Sequence, residues 1–482
     1  MEIATTITST LSTSTLVPLD RSSVLWVLIV GVIVAFFLAA GLGANDVSNT
    51  YGTSVGSGVV TIFQAYVLAT IFITMGALLV GWQVTDMMRK GVVDVDEYKN
   101  APHELMLGQL AVLGGTATWL AITTALSLPV STTHAVVGST LGFSLVLRGT
   151  EGVEWYEIGK IVMSWFLSPA ISGAITLILY LLVDFAVLRR NHPFDCGLRS
   201  LPYFYFAVIS FNVFMATWDG SRLLHFDKIP IWGCVILALG IGLIAALLVH
   251  FILKPRLRRK IRESAYDVEA TQNPPTKTKL SEADYSECSE DSGAVGKVKR
   301  FMKWLLPDKN RVDDEKTIQL FGSIQLFTAC FAGFAIGAND VGNAIAPVAS
   351  LVDIYTHRSA EQNSQVPIYV LLYGVVGICA GMYTLGYRII RTVGTNVSKI
   401  NPATGFTIEF GAALTTLVAS KFGLPMSTTQ CLVGSVVLVS CVRPGEGVKW
   451  KVFRDIVIAW VSTVPMSTAI SAGIMFLLKF TL

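Results

Sequence analysis

The chain has 482 residues, of which 52% are hydrophobic and only 14% charged; its mean hydropathy is +0.60, which excludes an ordinary soluble enzyme and points to a polytopic membrane protein. A net charge of +3, with the basic residues scattered among loops, excludes a nucleic-acid binder. The seven cysteines show no CxxC spacing and mostly lie in apolar runs, so they read as small buried side chains and not as a metal or redox framework.

Taken in chain order, residues 1–23 form a Ser- and Thr-rich tail without a cationic start, and the apolar run that follows is too long for a signal peptide. It is expected to be a retained membrane helix. A helix needs about twenty apolar residues to cross roughly 30 Å of hydrocarbon. By that measure about twelve segments are predicted, starting near Val24, Ile62, Leu105, Val130, Ile158, Tyr203, Ile231, Ile318, Ile368, Thr407, Met426 and Phe453. Those near Val130 and Met426 are short, follow a proline and are rich in Gly, Ser and Thr, as re-entrant or broken helices are.

Residues 254–317 change character. Charged residues, serines and the Asn273-Pro274-Pro275 break mark a solvated linker between two membrane halves. Its leading edge, Lys254 to Arg262, is strongly basic and directly follows a segment end, which puts the linker in the cytosol. Counting segments from there leaves both termini outside the cell, although Arg89 and Lys90 then fall on the outer side.

The halves share three landmarks. GANDVSNT at 43–50 returns as GANDVGNA at 337–344, LPVSTTH at 128–134 returns as LPMSTTQ at 424–430, and EGVEW at 151–155 returns as EGVKW at 446–450. The near-constant spacing marks an internal duplication. With an odd number of segments between corresponding helices, the copies at 24–184 and 318–482 are expected to be inverted, separated by connecting helices at 185–253 and the linker at 254–317. Inverted copies about a midplane site are a recurrent plan of secondary transporters.

Two kinds of motif carry the chemistry. Asn45, Asp46 and Asn49, with Asn339, Asp340 and Asn343, end an apolar segment beside glycines and share a helix face. A carboxylate at membrane depth is costly unless compensated, and a hard cation held by oxygens is the natural compensation. Gly41, Gly43, Gly337 and Gly342 would let backbone carbonyls join them. The competing explanation is simple helix capping, which explains one copy better than two. Ser131, Thr132 and Thr133, with Ser427, Thr428 and Thr429, each follow a Leu-Pro pair; hydroxyls and free N–H groups at a helix start form a nest for an oxyanion without a Lys or Arg to slow its release. Capping or interhelical bonding is again the alternative. A cation site beside an anion site, one set per copy, is the layout of an anion symporter. Glu409, interrupting an apolar run, is a further candidate.

GANDVSNT and GANDVGNA with the paired STT motifs resemble the inorganic phosphate transporter (PiT) family, eukaryotic branch, over both membrane halves. The resemblance implies a sodium-dependent phosphate symporter and not an enzyme, with two sodium ions per monovalent phosphate and no resident cofactor. It implies sodium ligands at Asn45, Asp46, Asn339, Asp340 and Glu409, and at Asp86, where relatives commonly carry Glu. Phosphate would be held by Ser131, Thr132, Thr133, Ser427, Thr428, Thr429, Asn49 and Asn343. Gln430 and Ile336 stand where relatives often have His, whereas His134 remains. The expected partners are phosphate, sodium and the bilayer of the plasma membrane, with a homodimer allowed. The alternatives left open are a proton-coupled phosphate or sulfate permease and a phosphate sensor on the same scaffold.

Overall fold

The computed structural model describes residues 20–90, 95–218, 220, 225–271, 294–422 and 426–482. The tail 1–19 and the linker stretch 272–293 with its Asn-Pro-Pro break lie outside the described residues. All elements described are helices.

Asp20 caps α1 (Arg21–Leu42), and the helix continues through a π turn at Gly43–Val47 into α2 (Ser48–Gly56). A Thr61/Gln64 capping box opens α3 (Ile62–Leu79), after which the chain forms α4 (Trp82–Lys90). Pro102 stands in the first turn of α5 (Pro102–Ala125), where its missing N–H costs nothing, and Ser131 caps α6 (Thr132–Arg148). α7 (Trp155–Val183) contains Pro169; α8 (Pro193–Thr217) and α9 (Ile231–Leu248) complete the first part, and α9 runs on into α10 (Lys254–Thr271). α11 (Ala294–Leu305) precedes α12 (Glu315–His357), a helix of 43 residues. Next come α13 (Ile368–Leu385), the short α14 (Tyr387–Arg391), α15 (Pro402–Lys421), α16 (Thr428–Val442) capped by Ser427, and α17 (Trp450–Leu478) with Pro465 inside.

Helices lie at all twelve expected positions. Nine are long and apolar enough to cross a membrane among the described residues. α6 and α16 are short, and α15 is diluted by Glu409 and four threonines. α12 is the most buried of the nine and forms the central column; α9 is the least buried and turns an almost wholly apolar surface outward.

The helices that carry the paired motifs pack across the two halves. α1 lies on α13 and α5, and its counterpart α12 on α3 and α15; α17 lies on α6, and its counterpart α7 on α16. The halves therefore exchange neighbours and do not form separate bundles. The crossings are tight because glycine meets main chain. A methyl on Gly43 would stand 1.9 Å from the Ile378 carbonyl oxygen, and one on the corresponding Gly337 would stand 2.2 Å from that of Ile73. These glycines thus admit a neighbouring helix at close approach. The Asn-Asp signatures likewise sit within continuous helices and not at segment ends. Burial of almost all of 48–56 and 345–354 keeps the helices wound past them.

Candidate functional site

Asn45, Asp46, Asn49, Asn339, Asp340 and Asn343 are all buried. The Ser-Thr-Thr segments at 131–133 and 427–429 reach them from both halves. Ser131 and Ser427 spend their hydroxyls as caps, accepting from the N–H of His134 and of Gln430. This leaves the threonines for the centre. Thr132 donates its N–H at 3.3 Å and its hydroxyl to Asp46 Oδ2, and Thr428 donates its hydroxyl to Asp340 Oδ2 at 2.8 Å.

Two contacts within this Asp-Thr centre cross between the halves. Thr429 donates to Asp46 Oδ1 at 2.7 Å, and Asn343 Nδ2 donates to Thr133 Oγ1 at 2.9 Å. Because Thr428 and Thr429 are adjacent, one helix start grips both carboxylates, and the two signatures share one polar centre. Among the described residues, all hydrogen-bond donors to Asp46 and Asp340 are neutral: threonines and Asn339 Nδ2 at 3.2 Å. Two carboxylates without a cationic partner, buried at membrane depth, are an electrostatic deficit that a bound cation removes.

Asn45 is committed elsewhere. Its Oδ1 accepts from Val130 N–H at 3.0 Å, and its Nδ2 donates to the Leu128 carbonyl and to Thr124 Oγ1. It fastens the loop that presents Ser131 and Thr132. Asn339 Oδ1 accepts from Ser420 Oγ at 2.9 Å. Thr124 and Ser420, missed in the sequence, stand at matching distances before the two Leu-Pro pairs. Asn49, by contrast, is buried with neither amide atom hydrogen-bonded, and Asn343 Oδ1 is also unpaired. These are the amide atoms still available to a ligand.

Glu409 is fully buried in α15. Its Oε1 accepts from Thr53 at 2.7 Å, from Gln325 Nε2 at 3.0 Å and from Ser54, and its Oε2 from Thr328 at 2.8 Å. One narrow cavity is lined by both Glu409 and Thr428, together with Thr50, Ile336 and Thr416, so this carboxylate opens toward the shared centre. Asp86 differs: its carboxylate is taken by Arg89 at 2.5 Å, and Arg89 also reaches Asp353 at 3.4 Å and the Ser364 carbonyl at 2.9 Å. An ion pair satisfies Asp86, and no hydrogen bond joins it to the centre among the described residues.

The fold and site define a polytopic membrane protein with a cation-demanding, hydroxyl-lined centre between two halves. The model of the phosphate transporter family matches residues 42–471, and the chain belongs to that family. It is 32% identical to sodium-dependent phosphate transporter 1 of Rattus norvegicus, with 98% of each chain covered. It is 33% identical to sodium-dependent phosphate transporter 1-A of Danio rerio, with 96% of each covered. A solved structure described as the sodium-dependent phosphate transporter superposes with a TM-score of 0.77 at 30% identity, covering 95% of this chain and all of that one.

Proposed function

We infer that the chain is a multi-pass secondary transporter that carries inorganic phosphate together with sodium. The observation that supports this best is the pair Asp46 and Asp340, both buried and held by adjacent threonines. The hydroxyls of Thr132, Thr428 and Thr429 point their protons at these carboxylates. Sodium ions at Asp46 and Asp340, completed by Asn49 and Asn343, neutralise that charge and release Thr132, Thr133, Thr428 and Thr429 to donate to a tetrahedral oxyanion. Sodium therefore binds first and phosphate second. Asn45 and Asn339 position the motifs, and Glu409, which lines the same cavity as Thr428, is a second station for the cation.

On this reading the two copies are inverted, the linker is cytosolic, both termini lie outside the cell, and the protein works at the plasma membrane. Two Na⁺ with one H₂PO₄⁻ carry one positive charge inward, worth about 2.3 kcal/mol per 100 mV of inside-negative potential. Labelled phosphate uptake into vesicles, with and without a sodium gradient, tests the coupling while current is recorded. Uptake that ignores sodium, or phosphate binding without accumulation, would refute it; competition by sulfate would redirect it to another oxyanion.

A further inference from the structure

α11 is short, carries Lys297, Lys299, Arg300 and Lys303, and has no acidic residue. Phe301, Trp304 and Leu305 follow one another at the i, i+3, i+4 spacing of a helix face. Among the described residues this face is largely uncovered: Phe301 is 55% exposed and Trp304 61%, with Met302 at 42% and Arg300 and Lys303 exposed beside them, while Leu305 is half-buried.

The position of α11 is fixed by the end of a membrane span. Arg189, which follows the span closing at Leu188, donates to the Trp304 carbonyl at 2.6 Å and to the Leu305 carbonyl at 3.0 Å. The Trp304 ring lies 5.2 Å from that of Phe185. Arg189 is itself held by the fully buried Asp184 at 2.6 Å, and so is Arg311 at 2.6 Å. The acids that follow α11 bond to partners outside it: Asp308 accepts from Asn310 N–H, Asp313 pairs with Arg311, and Asp314 caps α12. α10 adds exposed Arg256, Arg258, Arg259, Lys260 and Arg262 where the α9 span ends.

Cations beside bare aromatic and aliphatic side chains, anchored at the depth where spans meet water, match a leaflet of anionic phospholipid. A helix of this composition lies in that boundary, its basic side chains on headgroup phosphates and its rings among the upper acyl carbons. We propose that α11, tied by Arg189 to the end of the α7 span, lies on the bilayer surface and binds anionic phospholipid headgroups through Arg300 and Lys303.

The full chain, reconstituted in phosphatidylcholine and in phosphatidylcholine with phosphatidylserine, tests this by amide hydrogen exchange over 294–305. Exchange is expected to be about tenfold slower in the anionic bilayer, to recover in high salt, and to lose its lipid dependence in the Arg300→Glu, Lys303→Glu double variant. The Arg300→Lys, Lys303→Arg variant keeps the effect. Equal exchange in the two bilayers, or slowing that requires added cytosolic protein, overturns the proposal. The readout is the helix itself, so the result is independent of what the protein transports.

Discussion

The hydroxyl of Thr429 bonds to the carboxylate of Asp46 at 2.7 Å, although the two residues are 383 positions apart. Thr429→Val removes this bridge and leaves Asp46 with Thr132 alone. Coupled phosphate uptake should fall by about tenfold or more, on the scale of one lost hydrogen bond to a charged group. Thr429→Ser should restore most of it, as read by initial uptake rates in vesicles.

Asp46→Asn and Asp340→Asn are expected to reduce uptake to background. They also remove a buried charge with no cationic side chain bonded to it among the described residues, which offsets the cost of turning an amide N–H₂ toward the threonine donors, so the sodium-free protein should stay within about 2 kcal/mol of wild-type stability. Thermal unfolding in detergent without sodium, alongside uptake, separates the two effects. A loss of both stability and uptake would instead make the carboxylates structural.

Glu409→Gln places an amide N–H₂ against donors from Thr53, Ser54, Gln325 and Thr328. At least one of these then goes unpaired, at a cost of about 1–3 kcal/mol in stability. If Glu409 serves the cation, the sodium concentration for half-maximal uptake should rise by more than the phosphate concentration does. Equal shifts would argue for a purely structural role.

Gly43→Ala and Gly337→Ala drive a methyl into the Ile378 and Ile73 carbonyls. Both should fail to accumulate as folded protein. Gly240→Ala, with nothing within 4 Å, should behave as wild type. Size-exclusion profiles of the fluorescently tagged variants report this directly.

The membrane segments were legible because hydrophobic length is a local property. The run expected from Val24 is a helix from Arg21, and the one expected from Met426 starts at Thr428. The duplicated motifs likewise pointed to the centre. The partners were not legible, since Glu409 gathers its donors from α2 and α12 and only the folded chain brings them together. Asp86 was expected as a ligand from the resemblance alone, and its pairing with Arg89, three residues on, is a contact that the sequence leaves undetermined. Thr124 and Ser420 were within reach: extending the repeat back past the Leu-Pro pairs aligns them, and their hydroxyls fix Asn45 and Asn339. The continuous winding of α12 through its signature was obscured by the polarity of the motif itself.

The exchange of neighbours between the halves also has a consequence for biosynthesis. At about 5–20 residues per second, a ribosome that has just released Asp46 needs roughly 20–80 s to reach Thr429. During that interval the newborn first half sits in the membrane with its acid met by Thr132 alone, and for most of it with α1 lacking α13, a natural client for insertion chaperones. Only the chain from α13 onward releases it, so truncations near the C-terminus should be cleared by quality control as severely as those near the start.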